Sequence, residues 1–179
     1  TKEVSALNIR MKFKKHGCMK FIGHLDIMRY FQKAIRRADI DIAYSEGFSP
    51  HMIMSFAAPL GVGLTSEGEY VDLQVNSCAS SKAAVDALNS VMVDGMEVVS
   101  FKLLPETVKN AMASVAAADY FVNFREGYAP ENWEEKFMAF LQKEEMLIVK
   151  KTKRSEAEVD LKPMLYKAEV KDSGIFMQV

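Results

Sequence analysis

Residues 7–14, LNIRMKFK, alternate apolar Leu7, Ile9, Met11 and Phe13 with polar Asn8, Arg10, Lys12 and Lys14. A period of two with one apolar face predicts a half-buried strand whose outer face is cationic. His16-Gly17 breaks the pattern, and after Gly23 the period lengthens. Ile27, Met28, Phe31, Ala34, Ile35 and Ala38 share one arc of a helical wheel; Asp26, Arg29, Lys33, Arg36 and Arg37 share the opposite arc. Residues 25–38 are therefore predicted as a helix with a core face and a charged face. Its acid in the first turn and arginines in the last also suit the helix dipole, which is reason enough for their placement. A short extended piece at 41–44 precedes EYVDLQV, a strictly alternating strand. Ser80-Ser81 can cap a helix running through Met92, and MEVVSFKLL reads as another strand. The order strand, helix, strands, helix, strand predicts an α+β domain over 1–104: a ferredoxin-like antiparallel sheet with helices on one face.

Residues 105–118, PETVKNAMASVAAA, are small and weakly patterned, and are expected to form a joint. A second, smaller and partly similar α+β unit is expected over 119–179. ADYFVNF reads as a strand, and GYAPENWEEKFMAFLQ as a helix with Pro130 in its first turn and Trp133, Phe137, Phe140 and Leu141 at helical spacing. MLIVKKT and EVDLKP read as strands, and KAEVKDSGIFMQV as a hairpin turning at DSG. GIFMQV reads as a strand that stops with the chain, so this unit is expected to be truncated at its C-terminus.

One stretch fits neither period. YSEGFSPHMIMSF, residues 44–56, strings together a turn cluster, an aromatic pair, a Pro-His dipeptide, two methionines and a closing Phe. Met52, Met54 and Phe56 alternate with Ile53 and Ser55, so its end is expected to be a strand with methionine filling core gaps. Its beginning, with Tyr44, Ser45, Gly47, Phe48 and His51, is expected to be a recognition loop.

Composition narrows the class. The chain has 179 residues, 49% apolar and 26% charged, as expected of a globular protein with a real core. A formal net charge of −1 gives no global attraction to nucleic acid or anionic lipid, so any such attraction must be local. Up to residue 60 there are ten Lys and Arg against five acids, and all three histidines lie there too. No apolar run approaches a membrane span and no secretory signal pattern opens the chain, so a cytoplasmic location is expected. Cys18 and Cys78 fit neither a disulfide framework nor a paired zinc pattern, and two thiols fall short of the four that an iron–sulfur cluster normally takes.

The candidate chemistry is sparse. GVGLTSEG matches neither the P-loop nor the dinucleotide spacing, so its glycines read as turn glycines. His24 follows Gly23 at a helix start and His51 follows Pro50 after a turn. Three readings stand for this pair: hydrogen-bonded structural groups; ligand or partner recognition; or, if helix and loop meet in space, a metal or proton-transfer site with Asp26. Arg29, Lys33, Arg36 and Arg37, together with Arg10, Lys12 and Lys14, form either a solvated charged surface or an electrostatic footprint for RNA or an acidic protein. Tyr30, Tyr44 and Phe48 could stack on exposed bases.

The segment FIGHLDIMRYFQKAIRRADIDIAYSEGFSPHMIMSFAAPLGVGLTSEGEYVDL resembles the signature of a bacterial family known as radical-SAM-linked proteins, a domain of unknown function. His24, Leu25, Asp26 and Arg29 match its HLD-x-x-R element; Arg36, Arg37 and Ala38 its R-R-A; Tyr44, Ser45, Gly47, Phe48, Pro50 and His51 its loop; Ser55, Phe56, Pro59, Leu60 and Gly63 the element after it; Glu67 to Tyr70 and Asp72 its last. Asp160, Lys162 and Pro163 match a weaker second signature. Gly23 stands where the family usually has Ser, Ser49 where Asn is common, and Met52 where Pro is common. The resemblance implies a partner: members are fused behind, or encoded beside, a radical S-adenosylmethionine enzyme. Iron–sulfur cluster and S-adenosylmethionine would then sit on that partner and no cofactor or metal on this chain. The resulting expectation is a non-catalytic accessory module that holds a substrate, structured RNA, through Arg29, Lys33, Arg36, Arg37, Tyr44, Ser45, Gly47, Phe48 and His51. The alternatives are a hydrolase or nuclease using His24, Asp26 and His51, and a pure protein-docking domain.

Overall fold

The computed structural model describes residues 6–153 and 155–179, which divide into two compact units, 6–115 and 116–179. In the first unit the alternating segments become β1 (Leu7–Lys15), β2 (Met54–Phe56), β3 (Ser66–Val75) and β4 (Met96–Leu103). The two helical patterns become α1 (His24–Arg37) and α2 (Ser81–Val91). The strands form one antiparallel sheet in the order β2-β3-β1-β4. This is the βαββαβ topology expected of a ferredoxin-like domain.

Alternation decides which face is covered. Ile9, Met11 and Phe13 of β1, Val71, Leu73 and Val75 of β3, and Met96, Val98 and Phe101 of β4 are buried against Ile27, Phe31, Ala34 and Ile35 of α1 and Ala84 and Leu88 of α2. The rings of Phe13, Phe31 and Phe56 meet edge to face at its centre. Met52 is buried in the same cluster and Met54 packs on its margin, as gap-fillers.

The ends of these elements are set locally. Ser80 caps α2 by accepting the N–H of Ala83 at 3.0 Å. The β1–β4 register shifts where Lys12 and Phe13 face Ser100 and Val98, leaving Val99 as the extra residue. The amide of Asn89 on α2 then takes over Val98's backbone, accepting its N–H at 2.8 Å and donating to its carbonyl at 2.9 Å. One side chain thus both repairs the bulge and docks the helix.

Residues 105–115 group with the first unit and run over the sheet face that the helices leave open. Leu104 N–H donates to Asn8 O at 2.8 Å, Arg10 to Lys109 O at 2.9 Å, and Ala111 N–H to the Asp72 carboxylate at 2.6 Å. A single helical turn, α3 (Ala111–Ser114), closes this segment.

The second unit holds β5 (Asp119–Val122), α4 (Trp133–Leu141), β6 (Leu147–Lys151), β7 (Glu156–Asp160), β8 (Lys167–Lys171) and β9 (Gly174–Gln178). Here two expectations are corrected. The helix begins at Trp133, not around Pro130, because Asn132 adopts a left-handed φ of +53° that α-helix cannot continue. The echo of the first unit stops at element order: β5, β9 and β8 form one three-stranded sheet, while β6 and β7 pair only with each other. Met146 is the buried hydrophobic residue of this unit among those described. Asp160 accepts the N–H groups of Met146 (2.7 Å) and Lys162 (2.9 Å), and Lys162 Nζ donates to Leu141 O at the end of α4. The DLKP signature is therefore a structural pin.

Candidate functional site

The puzzling stretch begins as a closed hairpin loop. Ile42 bridges to Val75 and Tyr44 to Met52, and Ser45 N–H donates to His51 O at 2.9 Å. The Ser45 hydroxyl accepts the N–H of His51 at 3.1 Å and lies 2.8 Å from its Nδ1. Two contacts between one hydroxyl and one histidine thus close the neck of the loop. Gly47 sits at φ +104°, in the region that a side chain would strain. Between Gly47 and Pro50, Phe48 projects with its whole ring in solvent (111% relative exposure). A rigid neck and a bare aromatic tip give this loop its form.

On α1 the solvent side is basic as expected. Asp26 is occupied by Arg29 at 3.1 Å, but Lys33, Arg36 and Arg37 are exposed and take part in no ion pair among the described residues. After α1, Asp41 accepts from Asn76 Nδ2 (2.9 Å) and Ser77 Oγ (2.7 Å), which hold its carboxyl below the usual range. Through Asp41 and Ile42 the C-terminal end of α1 and the hairpin loop come to the same end of the sheet, next to Val75.

His24 is elsewhere. Its ring packs edge-on against Phe56, with centroids 5.2 Å apart, at the opposite end of α1 and on the helix-covered side. His51 shares the open side with Ile53 and Ser55. Five residues of extended chain separate Phe56 from His51, about 16 Å at ~3.3 Å per residue. The structure therefore does not assemble His24, Asp26 and His51 into one relay, and the convergence of both imidazoles with the basic stripe is corrected accordingly: His51 and Arg36–Arg37 share an end, His24 does not.

Two further expectations are corrected by partners that the period could not show. The cations of β1 are largely neutralised: Arg10 forms a two-point pair with Asp72 (2.8 and 3.0 Å), and Lys14 lies 3.4 Å from Glu67 and 3.8 Å from Glu97. Lys12 stands over the Tyr70 ring at 5.9 Å. Tyr30 is partly buried against the core, edge-on to Phe31, and its hydroxyl accepts the N–H of Val93 at 2.8 Å. Tyr44, 46% exposed, stays available.

Two features had gone unread. Lys15 is the next inward position of β1 and is buried to 1% exposure, its ammonium donating to Ile22 O at 2.9 Å. With His24, Phe56 and Glu69 it lines a small cleft of about 10 Å³, room for one water. Carrying the alternation one residue past Lys14 would have found it. The second is a groove of about 340 Å³ on the open face, between the sheet and the 104–110 segment, with His51 at its edge. No periodicity foretells it, since one wall comes from the stretch expected to be a joint.

A family model described as an uncharacterized protein conserved in bacteria (DUF2344) matches residues 8–179, nearly the whole chain. The chain belongs to that family. Nothing matches it among the curated proteins. In this DUF2344 protein the described residues contain no group of three or more His, Cys, Asp or Glu placed to hold a metal ion, and no helix long and apolar enough to cross a membrane.

Proposed function

We propose that this DUF2344 protein is a non-catalytic recognition module that binds structured RNA for a radical S-adenosylmethionine enzyme, which supplies the chemistry. The observation that carries the recognition reading is Phe48, wholly exposed on a hairpin whose neck is fixed by Ser45 and His51. Exposing a phenyl ring to water is unfavourable, and a rigid loop that does so gains when the ring stacks on a partner. The partner class follows from charge: the loop shares its end of the sheet with Arg36 and Arg37, whose guanidinium groups are free to meet phosphates while the aromatic meets a base. The enzymatic partner rests on the sequence resemblance. The hydrolase or nuclease alternative is disfavoured, because an acid, base and orienter must lie within hydrogen-bond reach or one water of each other, and His24 and His51 lie on opposite sides of the sheet.

The test is binding of a labelled hairpin RNA over a range of salt. Wild-type affinity should fall with salt, and Arg36→Glu with Arg37→Glu should weaken binding and lower the slope of log K against log salt by about 2. Phe48→Ala should cost about 1–3 kcal/mol of binding. Unchanged affinity in the folded charge-reversal variant rejects the RNA reading, and copurification with the enzyme without retained RNA would favour the docking alternative.

A further inference from the structure

The groove on the open sheet face points to a specific ligand chemistry. Its floor is the polar side of β1 and β3, where Gln74 Nε2 donates to Asn8 Oδ1 at 3.1 Å. Its wall is the 104–110 segment, tied down by Leu104 to Asn8, by Arg10 to Lys109 and by the Pro105–Val108 turn, in which Val108 N–H donates to Pro105 O at 3.1 Å. This is a wall fixed at both ends, so the space is built into the fold. Its volume of about 340 Å³ suits a small group rather than a protein segment.

The carboxylate in the lining is already paired. Each oxygen of Asp72 accepts from Arg10, and one also accepts the N–H of Ala111, so its charge is balanced within the fold. What remains is neutral and mixed. Gln74 Oε1, Asn8 Nδ2, Ser55 Oγ and His51 Nε2 have no protein partner among the described residues, and together they offer an acceptor, a donor and two groups that can serve as either. Ile53, Pro105 and Val108 supply apolar surface around them. A ligand matching this set is uncharged, flat and apolar on its faces, with donors and acceptors along its edge.

We infer that the groove receives one unstacked nucleobase. The inference rests on the RNA reading and deepens it. The phosphates stay outside the groove, while His51 belongs both to the neck of the loop and to the groove lining. Bases splayed from single-stranded regions are recognised in this manner, by apolar contact on their faces and hydrogen bonds at their edges.

The experiment is NMR titration of the full chain with each of the four ribonucleosides, which carry no phosphate. At least one should shift the amides of Asn8, Gln74 and Val108. Gln74→Ala should weaken that nucleoside about tenfold. Ser55→Trp, and independently Val108→Trp, should fill the space and abolish the shifts, whereas Lys82→Ala, on the exposed face of α2, should leave nucleoside affinity unchanged. Absence of groove shifts with all four nucleosides overturns the inference, as do shifts that survive both tryptophan variants. RNA binding without nucleoside occupancy would sink the groove and leave the RNA reading standing; nucleoside occupancy without RNA binding would do the reverse.

Discussion

Lys15 shows how a single residue can be legible in the pattern and still be missed. It continues the inward series Ile9, Met11, Phe13, so the alternation that hides three apolar side chains also hides an ammonium group. Burial pushes its pKa down, opposed in part by nearby Glu69. Below the lowered folded value both states are protonated and the whole penalty is present. Between that value and 10.5 the unfolded chain binds more protons, so stability rises with pH. Lys15→Met should match or exceed the wild type in stability at neutral pH and remove this rise. Urea midpoints of both proteins at pH about 8 and about 10 test it; an alkaline gain of equal size in the two proteins contradicts the assignment. The separation of the histidines was not legible. His24 and His51 each stand beside a chain break, but which side of the sheet each reaches depends on the pairing of β2 with β3, a contact that neither local sequence contains.

At the level of elements, strong periods were sufficient. The strands β1 and β3, the helices α1 and α2 and the Ser80 cap all follow from spacing and one polar residue, since each buries a regular face against the same core. Where burial is shallow the period loses authority. No residue of α4 is buried, so its start was decided by Asn132 and not by its apolar spacing. The β6–β7 pair is held by its own ladder, with Asp160 pinning its base. The two backbone hydrogen bonds hold the Asp160 carboxyl below its ordinary 3.8. The stabilisation is present above that ordinary value and is lost as pH falls through the lower folded value. Asp160→Ala should speed hydrogen exchange at Met146, Lys162 and along the β6–β7 hairpin, leaving the first unit's amides as slow as before. Unaltered exchange at Met146 would show that the carboxylate is dispensable.

The whole molecule divides its stability unevenly. The large buried side chains, from Ile9 to Phe101, lie in residues 1–115, and the second unit contributes Met146. Residues 1–115 expressed alone should unfold cooperatively in urea, whereas 116–179 alone should melt gradually, because a two-stranded hairpin and a small sheet without a deep core are marginal in water. A gradual transition for 1–115 would contradict this division. The domain topology could be read from element order, but the edge of the first unit could not: residues 105–115 carry little apolar pattern, and their attachment depends on Asp72 and Arg10, almost forty and a hundred positions away.

The sheet also sets the redox geometry of the chain. Cys18 and Cys78 are both exposed, the first just beyond the C-terminal end of β1 and the second just beyond β3, whose end pairs with the start of β1. The eight steps from Leu7 to Lys15 hold the two strand ends apart by about 26 Å at ~3.3 Å per residue, far more than one sulfur–sulfur bond can span. Oxidation can therefore crosslink only separate molecules, and with one thiol at each end the product can grow head to tail into chains.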